Sequence, residues 1–177
     1  SGHRDLDQAP AAAAAEVADL EASFSDLGAH TRRFAYFYLL GDRTGLGRVA
    51  EANAGPREAA WFKRVLPVVT TMIARGLRVT PKGAARSLEK LRATMDAVSR
   101  RVDGRRYLVG DRFTAADLAF ACMTAPLLLP RPEEGYGAAF PPLDETPPAF
   151  AQVAREMRET PAGRFALRMF REERGRA

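Results

Sequence analysis

With 177 residues, 46% of them hydrophobic, the chain is long enough to bury the core of a single domain. No apolar run approaches the roughly 18 to 20 residues of a membrane helix, and the amino terminus lacks the pattern of a secretion signal. We therefore expect a cytoplasmic protein with no membrane association. The net charge of +5 comes from basic residues scattered among 22 acidic ones, which argues against nucleic-acid binding.

The domain organisation predicted from these features is simple. Ser1-Gly2-His3 is typical of an expression tag, so we expect residues 1–10 to be a tag remnant or linker. Residues 11–172 should form one helical domain, and residues 173–177 a short tail. The single cysteine, Cys122, cannot form a disulfide within the chain and lies in an apolar stretch, which predicts a small buried side chain.

The first predicted helix runs over residues 11–40. Larger side chains recur along it from Val17 to Tyr38 at alternating steps of three and four, which places them on one helix face. Gly41-Asp42 and the glycines at 45 and 47 are expected to end this helix.

The second and third predicted helices both begin at a proline. The second opens at Gly55-Pro56, because proline suits the first helical position, and Pro67 in its interior should kink or divide it. This segment carries Trp61, which could belong either to the core or to a pocket. The third helix begins at Thr80-Pro81 and keeps a helical period as far as Val102.

The fourth predicted helix follows the stretch YLVGDRFTAADLAFA, residues 107–121. Thr114 and Asp117 have the layout of a capping box, in which each side chain accepts from the backbone N–H of the other residue. A catalytic role would need a base beside the threonine or a second carboxylate, and no motif ties either histidine to it. We interpret the pair as a structural cap and expect neither a catalytic residue nor a metal site. The packed faces of the helix are predicted to hold four residues: Leu118, Ala121, Cys122 and Ala125.

Two short helices are predicted near the carboxyl end, from Thr146-Pro147 and Thr160-Pro161, each with a threonine cap before a proline. The segment Pro126–Pro148 holds seven of the 12 prolines and should be an irregular connection, which either has a function or packs on the surface as an arm. No segment alternates apolar and polar residues for long enough to predict a sheet. The fold class predicted is all-α, a bundle of about six helices.

The stretch YLVGDRFTAADLAFA resembles the signature of the carboxy-terminal helical domain of the cytosolic glutathione S-transferase superfamily, where it precedes a buried central helix. The segments LGAHTRRFAYFYLL, SLEKLRATMDAVSRRV and ETPAGRFALRMFREER follow the order of that domain, so the resemblance covers residues 11–172. In this family an amino-terminal thioredoxin-like domain binds glutathione and supplies the residue that activates its thiol. No such domain is recognisable in this chain, so the resemblance implies a helical half that is expected to be inactive alone.

By resemblance, this half would supply one wall of a hydrophobic co-substrate pocket and part of a homodimer interface. The complete protein would be a detoxifying transferase that conjugates glutathione, its co-substrate, to small hydrophobic electrophiles, and this chain would hold no cofactor. The wall uses the first long helix, where Arg32 and Tyr36 share one face and could orient a polar or anionic group of a ligand. The alternative is a surface arginine beside a half-buried tyrosine. Arg33 and Phe37 are weaker candidates of the same kind.

Two other functions remain open. A non-catalytic protein–protein interaction module of the same fold would leave apolar residues exposed on the first and third predicted helices. An effector-binding domain of the kind found in bacterial repressors would also be a helical bundle, but it would not account for the stretch VGDRFTAADL.

Overall fold

A computed structural model describes residues 11–173 of the chain, which form seven α-helices, two short 3-10 helices and no strand. The all-α prediction is confirmed, with one helix more than the six expected. The helices are α1 (Ala11–Leu39), α2 (Arg43–Asn53), α3 (Pro56–Gly76), α4 (Pro81–Arg101), α5 (Ala115–Leu128), α6 (Pro148–Glu159) and α7 (Pro161–Glu173). Within this range no helix combines the length and hydrophobicity needed to cross a membrane.

The predicted tag remnant or linker, residues 1–10, lies outside the described residues, as do residues 174–177 of the predicted tail. Glu173, which the sequence prediction assigned to the tail, is the last residue of α7.

The core of the bundle is built around α5, which packs against α1 on one side and against α7 and α6 on the other, while α1 also packs along α4. Phe120 of α5 is fully buried, and its ring centroid lies 5.3 Å from that of Phe24 and 6.2 Å from that of Phe165. The periodic stripe of α1 packs on the core as its spacing predicted, with Leu20 and Tyr38 partly buried and the other members buried.

The exposed face of α5 was predicted wrongly. Ala121 and Ala125 are fully buried as expected, but Leu118 is 44% exposed and Cys122 is exposed. The apolar residues of α5 are distributed on all faces of the helix. Their spacing therefore cannot identify the face that the other helices leave exposed.

The additional helix, α2, occupies a segment that was predicted to be a glycine-rich end of α1. The Asp42 carboxylate caps α2 by accepting from the N–H of Gly45 at 2.9 Å. A Cβ at Gly45 would lie 2.2 Å from Asp42 Oδ2, and a Cβ at Gly47 would lie 3.1 Å from Lys63 Cε on α3. Gly45 therefore lets the Asp42 carboxylate approach the backbone, and Gly47 lets α3 approach α2. Both glycines lie inside α2 and do not terminate a helix.

The predicted helix starts are mostly correct. Thr80 and Thr160 lie at the starts of α4 and α7, where each hydroxyl accepts a hydrogen bond of 3.0 Å from the backbone N–H three residues later. The start of α6 lies one residue later than predicted, because its N-cap is Pro147. The Thr146 hydroxyl donates instead to the Leu143 carbonyl at 2.8 Å. Pro67 does not divide α3, which continues to Gly76.

The connection between α5 and α6 is irregular except for two 3-10 helices, Pro132–Glu134 and Leu143–Glu145. The prediction began this connection at Pro126, but that proline lies inside α5. Glu134 anchors the connection because its carboxylate accepts from the Arg131 N–H at 2.9 Å and pairs with the guanidinium of Arg158. The connection therefore packs on the bundle as an ordered arm.

Candidate ligand-binding site

An apolar groove of about 870 Å³ opens between α2, α3 and the connection from α5 to α6. We call it the α2–α3 groove. Its aromatic lining comes from Trp61 and Phe62 on α3 and from Tyr136 and Phe140 on the connection. Trp61 is 65% exposed, so the groove is open to solvent along α3. Its volume lies within the range of small-molecule sites, which are concave and mostly apolar.

The connection wall of the groove is held by aromatic packing. The rings of Tyr136 and Phe140 are stacked, with centroids 5.0 Å apart. Tyr136 also meets Phe170 of α7 edge-on at 5.0 Å. Because Phe170 is a buried core residue, this wall is continuous with the core of the bundle.

Asn53, at the end of α2, fastens that helix to the connection. Its side-chain amide donates to the Ala139 carbonyl at 2.8 Å, and its side-chain carbonyl accepts from the Ala139 N–H at 2.7 Å. The same amide also donates to the Val49 carbonyl within α2 at 2.7 Å. One side chain thus sets the distance between two walls of the groove.

Two charged side chains, Arg57 and Glu58, line the groove at the start of α3. The Glu58 carboxylate turns back and accepts from the Gly55 N–H at 2.8 Å. Arg57 is exposed and makes no hydrogen bond or ion pair with the residues that the structure describes. It is the only cation among the described lining side chains.

A smaller cavity of about 220 Å³ adjoins the groove and reaches α1. Tyr36 lines it from α1, and Pro126 lines it from the end of α5. Leu46, Val49 and Phe140 line both cavities. Those three side chains form the partition between the groove and the space in front of α1.

The four residues predicted to bind a co-substrate are not brought together. Tyr36 lines the smaller cavity, whereas Arg32 is exposed and lines neither cavity. Phe37 also lines neither, and its ring packs edge-on against Tyr38 with centroids 4.9 Å apart. On the helix face that these two residues share, Arg32 is therefore exposed to solvent and only Tyr36 lies at a cavity.

Arg33, the remaining candidate, is held by contacts within the fold. Its Nε donates to the Leu77 carbonyl at 2.6 Å, and its Nη1 donates to Ser87 Oγ at 3.2 Å. His30 Nδ1 lies 3.1 Å from the same hydroxyl, and burial followed by the charge of Arg33 lowers the pKa of His30. Arg33 thus ties α1 to α4 and to the end of α3.

Thr114 and Asp117 form a capping box at the start of α5. Asp117 Oδ2 accepts from the Thr114 N–H and from the Thr114 hydroxyl at 2.7 Å each, while Oδ1 accepts from the Leu108 N–H at 2.7 Å. Asp117 is fully buried, and this burial raises the pKa of its carboxyl against the opposing effect of the hydrogen bonds. The carboxylate therefore joins the loop before α5 to the helix start.

Sequence reasoning did not find the groove. Of its aromatic residues, only Trp61 was predicted from the sequence to have a possible place in a pocket, with the core as the alternative. The available signal was the pair Tyr136 and Phe140, because two aromatic residues within a proline-rich and glycine-rich segment need a surface to pack on. Within residues 11–173, no group of three or more histidine, cysteine, aspartate or glutamate side chains is arranged to hold a metal ion.

Residues 81–156 match the family model described as glutathione S-transferase, C-terminal domain. No curated protein and no solved structure is significantly similar to the chain. The matched region includes the capping box and the connection wall of the groove, whereas α1, α2 and α3 precede it. Over residues 81–156, the match confirms the glutathione S-transferase C-terminal domain that the sequence predicted.

Proposed function

We propose that this helical domain binds a small hydrophobic compound in the α2–α3 groove, as the co-substrate half of a glutathione S-transferase-like protein. The observation that carries the proposal is the groove itself, about 870 Å³ in volume and lined by four aromatic side chains. The match over residues 81–156 supports the family, and the connection wall lies inside the matched region.

The expected affinity follows from the apolar surface that a ligand would bury. A two-ring aromatic compound that buries about 250–300 Å² there would gain roughly 6–7 kcal/mol. This free energy corresponds to a dissociation constant on the order of 10 µM. The costs of ordering the ligand weaken the binding from that value.

The proposal assigns no chemical step to this chain. Glutathione would be the co-substrate of the complete protein, and its thiol would be activated by the thioredoxin-like domain that the family resemblance implies. We therefore expect no conjugation of glutathione to a generic electrophile by the 177-residue chain. Measurable turnover by the purified chain would overturn this part of the proposal.

Binding can be tested with the chain's only tryptophan, Trp61, because it lies in the groove. Titration with N-phenyl-1-naphthylamine, a neutral and fluorescent apolar compound, should quench Trp61 saturably and enhance the fluorescence of the probe. Phe62→Ala removes a lining ring and should weaken binding. Met72→Ala removes an exposed apolar side chain of α3 outside the groove and serves as the matched control.

Two results would contradict the proposal. One is a fluorescence change that does not saturate, because a defined site must fill. The other is a loss of affinity in Met72→Ala as large as that in Phe62→Ala, because the probe would then be bound to the exposed side of α3.

A second candidate function is contact with a protein partner, and an apolar stripe on α3 favours it. Trp61, Val68 and Met72 are each more than 60% exposed, and their spacing places them on one helix face. The interaction-module hypothesis expected exposed apolar residues on α1 and α4, but among the described residues the large ones lie on α3 and at Leu118 of α5. If the stripe binds a second copy, Val68→Ser should shift the chain toward monomer in sedimentation velocity. An unchanged distribution would exclude self-association through this stripe.

A further inference from the structure

We propose that the compounds bound in the α2–α3 groove are apolar organic anions, whose negative group lies against Arg57. This inference rests on the proposed function, since it specifies the ligand class of the same groove. It concerns a residue that the family resemblance did not identify, on a helix that precedes the matched region.

The other polar side chains at this end of the groove are already engaged. Asn53 makes all its hydrogen bonds to backbone groups of Ala139 and Val49. Glu58 is turned back to the Gly55 N–H. Arg57 is the charged lining side chain without an interaction of this kind among the described residues. A guanidinium stays protonated and offers a planar set of donors that matches a carboxylate, sulfonate or phosphate.

The position of Arg57 also constrains the shape of the ligand. Arg57 and Trp61 are four residues apart on α3, so they share a helix face. Their separation along the helix axis is about 6 Å. An apolar body against Trp61 would therefore bring an anionic group, one ring or a few bonds away, within reach of the guanidinium.

Solvent exposure limits the size of this contribution. Arg57 is exposed, and exposed ion pairs contribute much less than buried ones. We expect the charge to change affinity by roughly three- to tenfold, because charge-assisted hydrogen bonds are stronger than neutral ones but are screened here. The effect should decrease with added salt, because ions screen exposed charges.

The experiment compares two probes that differ by one anionic group. N-phenyl-1-naphthylamine is neutral, and 1-anilinonaphthalene-8-sulfonate carries the same two ring systems with a sulfonate. Both are titrated into the wild-type chain, Arg57→Gln and Arg75→Gln. Arg75 is the matched control, because it is an exposed arginine in the last turn of the same helix and lines neither cavity.

Arg57→Gln should weaken binding of the sulfonate roughly three- to tenfold and change binding of the neutral probe less than twofold, while Arg75→Gln should leave both unchanged. If the neutral probe does not bind to the wild type, the proposed function fails. If the neutral probe binds but sulfonate affinity is the same in Arg57→Gln, only the anion inference is overturned. Equal losses in the two arginine variants would also overturn it, because they would reflect net charge alone.

Discussion

Replacing Asp117 with alanine tests whether the capping box at the start of α5 stabilises the fold or serves ligand binding. The carboxylate is fully buried and accepts three hydrogen bonds of 2.7 Å, from the Leu108 N–H, the Thr114 N–H and the Thr114 hydroxyl. In Asp117→Ala the two backbone N–H groups lose their acceptor. The loop before α5 and the first turn of that helix then lose their common anchor.

The magnitude follows from those lost contacts. A buried donor left without a partner costs about 1–3 kcal/mol, so two of them would cost about 2–6 kcal/mol. Burial raises the pKa of the Asp117 carboxyl, so part of the stabilisation by the native hydrogen bonds is already offset by desolvation. We therefore expect a loss of about 2–4 kcal/mol in the free energy of unfolding. For a chain of this length, that lowers Tm by about 5–15 °C.

The assay is urea unfolding followed by far-UV circular dichroism, with titration of N-phenyl-1-naphthylamine at low temperature. Asp111→Ala is the matched control, because Asp111 is an exposed carboxylate of the same loop, and its loss should change stability by less than about 0.5 kcal/mol. Folded Asp117→Ala should still bind the probe. A variant that kept wild-type stability but lost binding would refute the capping interpretation.

Two further predictions concern the connection. Hydrogen bonds from the Arg131 N–H and from Arg158 outweigh burial and lower the pKa of Glu134 below its ordinary value of 4.5. The ionised carboxylate of Glu134 therefore stabilises the folded protein above about pH 4.5, and this stabilisation is lost as pH falls through the folded pKa. Glu134→Gln should lower the free energy of unfolding by roughly 2–3 kcal/mol at neutral pH, and this difference from the wild type should decrease in acid. A pH series of urea unfolding curves measures this, and a constant difference would contradict it. Asn53→Ala should lower the free energy of unfolding by only about 1 kcal/mol, because the lost hydrogen bonds are exposed. It should nevertheless weaken N-phenyl-1-naphthylamine binding severalfold, because α2 and the connection would no longer be held together. Equal affinity in a probe titration would show that Asn53 does not position the walls.

Features determined by neighbouring residues in the chain could be predicted from the sequence. The capping box and the threonine caps of α4 and α7 involve partners within three residues, so short motifs identify them. The buried stripe of α1 follows from helical periodicity, because a long helix packed on one side must segregate its apolar residues.

Features determined by distant residues could not be predicted. Arg33 resembled a ligand-binding residue by its position on α1, but its partners, Leu77 and Ser87, come from segments far along the chain. Cys122 was predicted to be buried because its neighbours in the sequence are apolar, but the packing of α1, α6 and α7 decides which side of α5 remains exposed. The groove likewise forms between α3 and the connection, which are about 80 residues apart in the sequence. Local sequence patterns do not predict a contact between such distant segments.

α3 contributes to the groove but little to the hydrophobic core. α3 packs mainly on α2, and only Ala59 and Leu66 of its residues are buried. Most of the buried apolar surface instead belongs to α1 and α4–α7, so the stability of that bundle should depend little on α3. Substitutions at the exposed positions of α3 should therefore change the lining of the groove at little cost to the stability of the bundle. The side chains that α3 presents to the groove can thus vary while α1 and α4–α7 keep their packing.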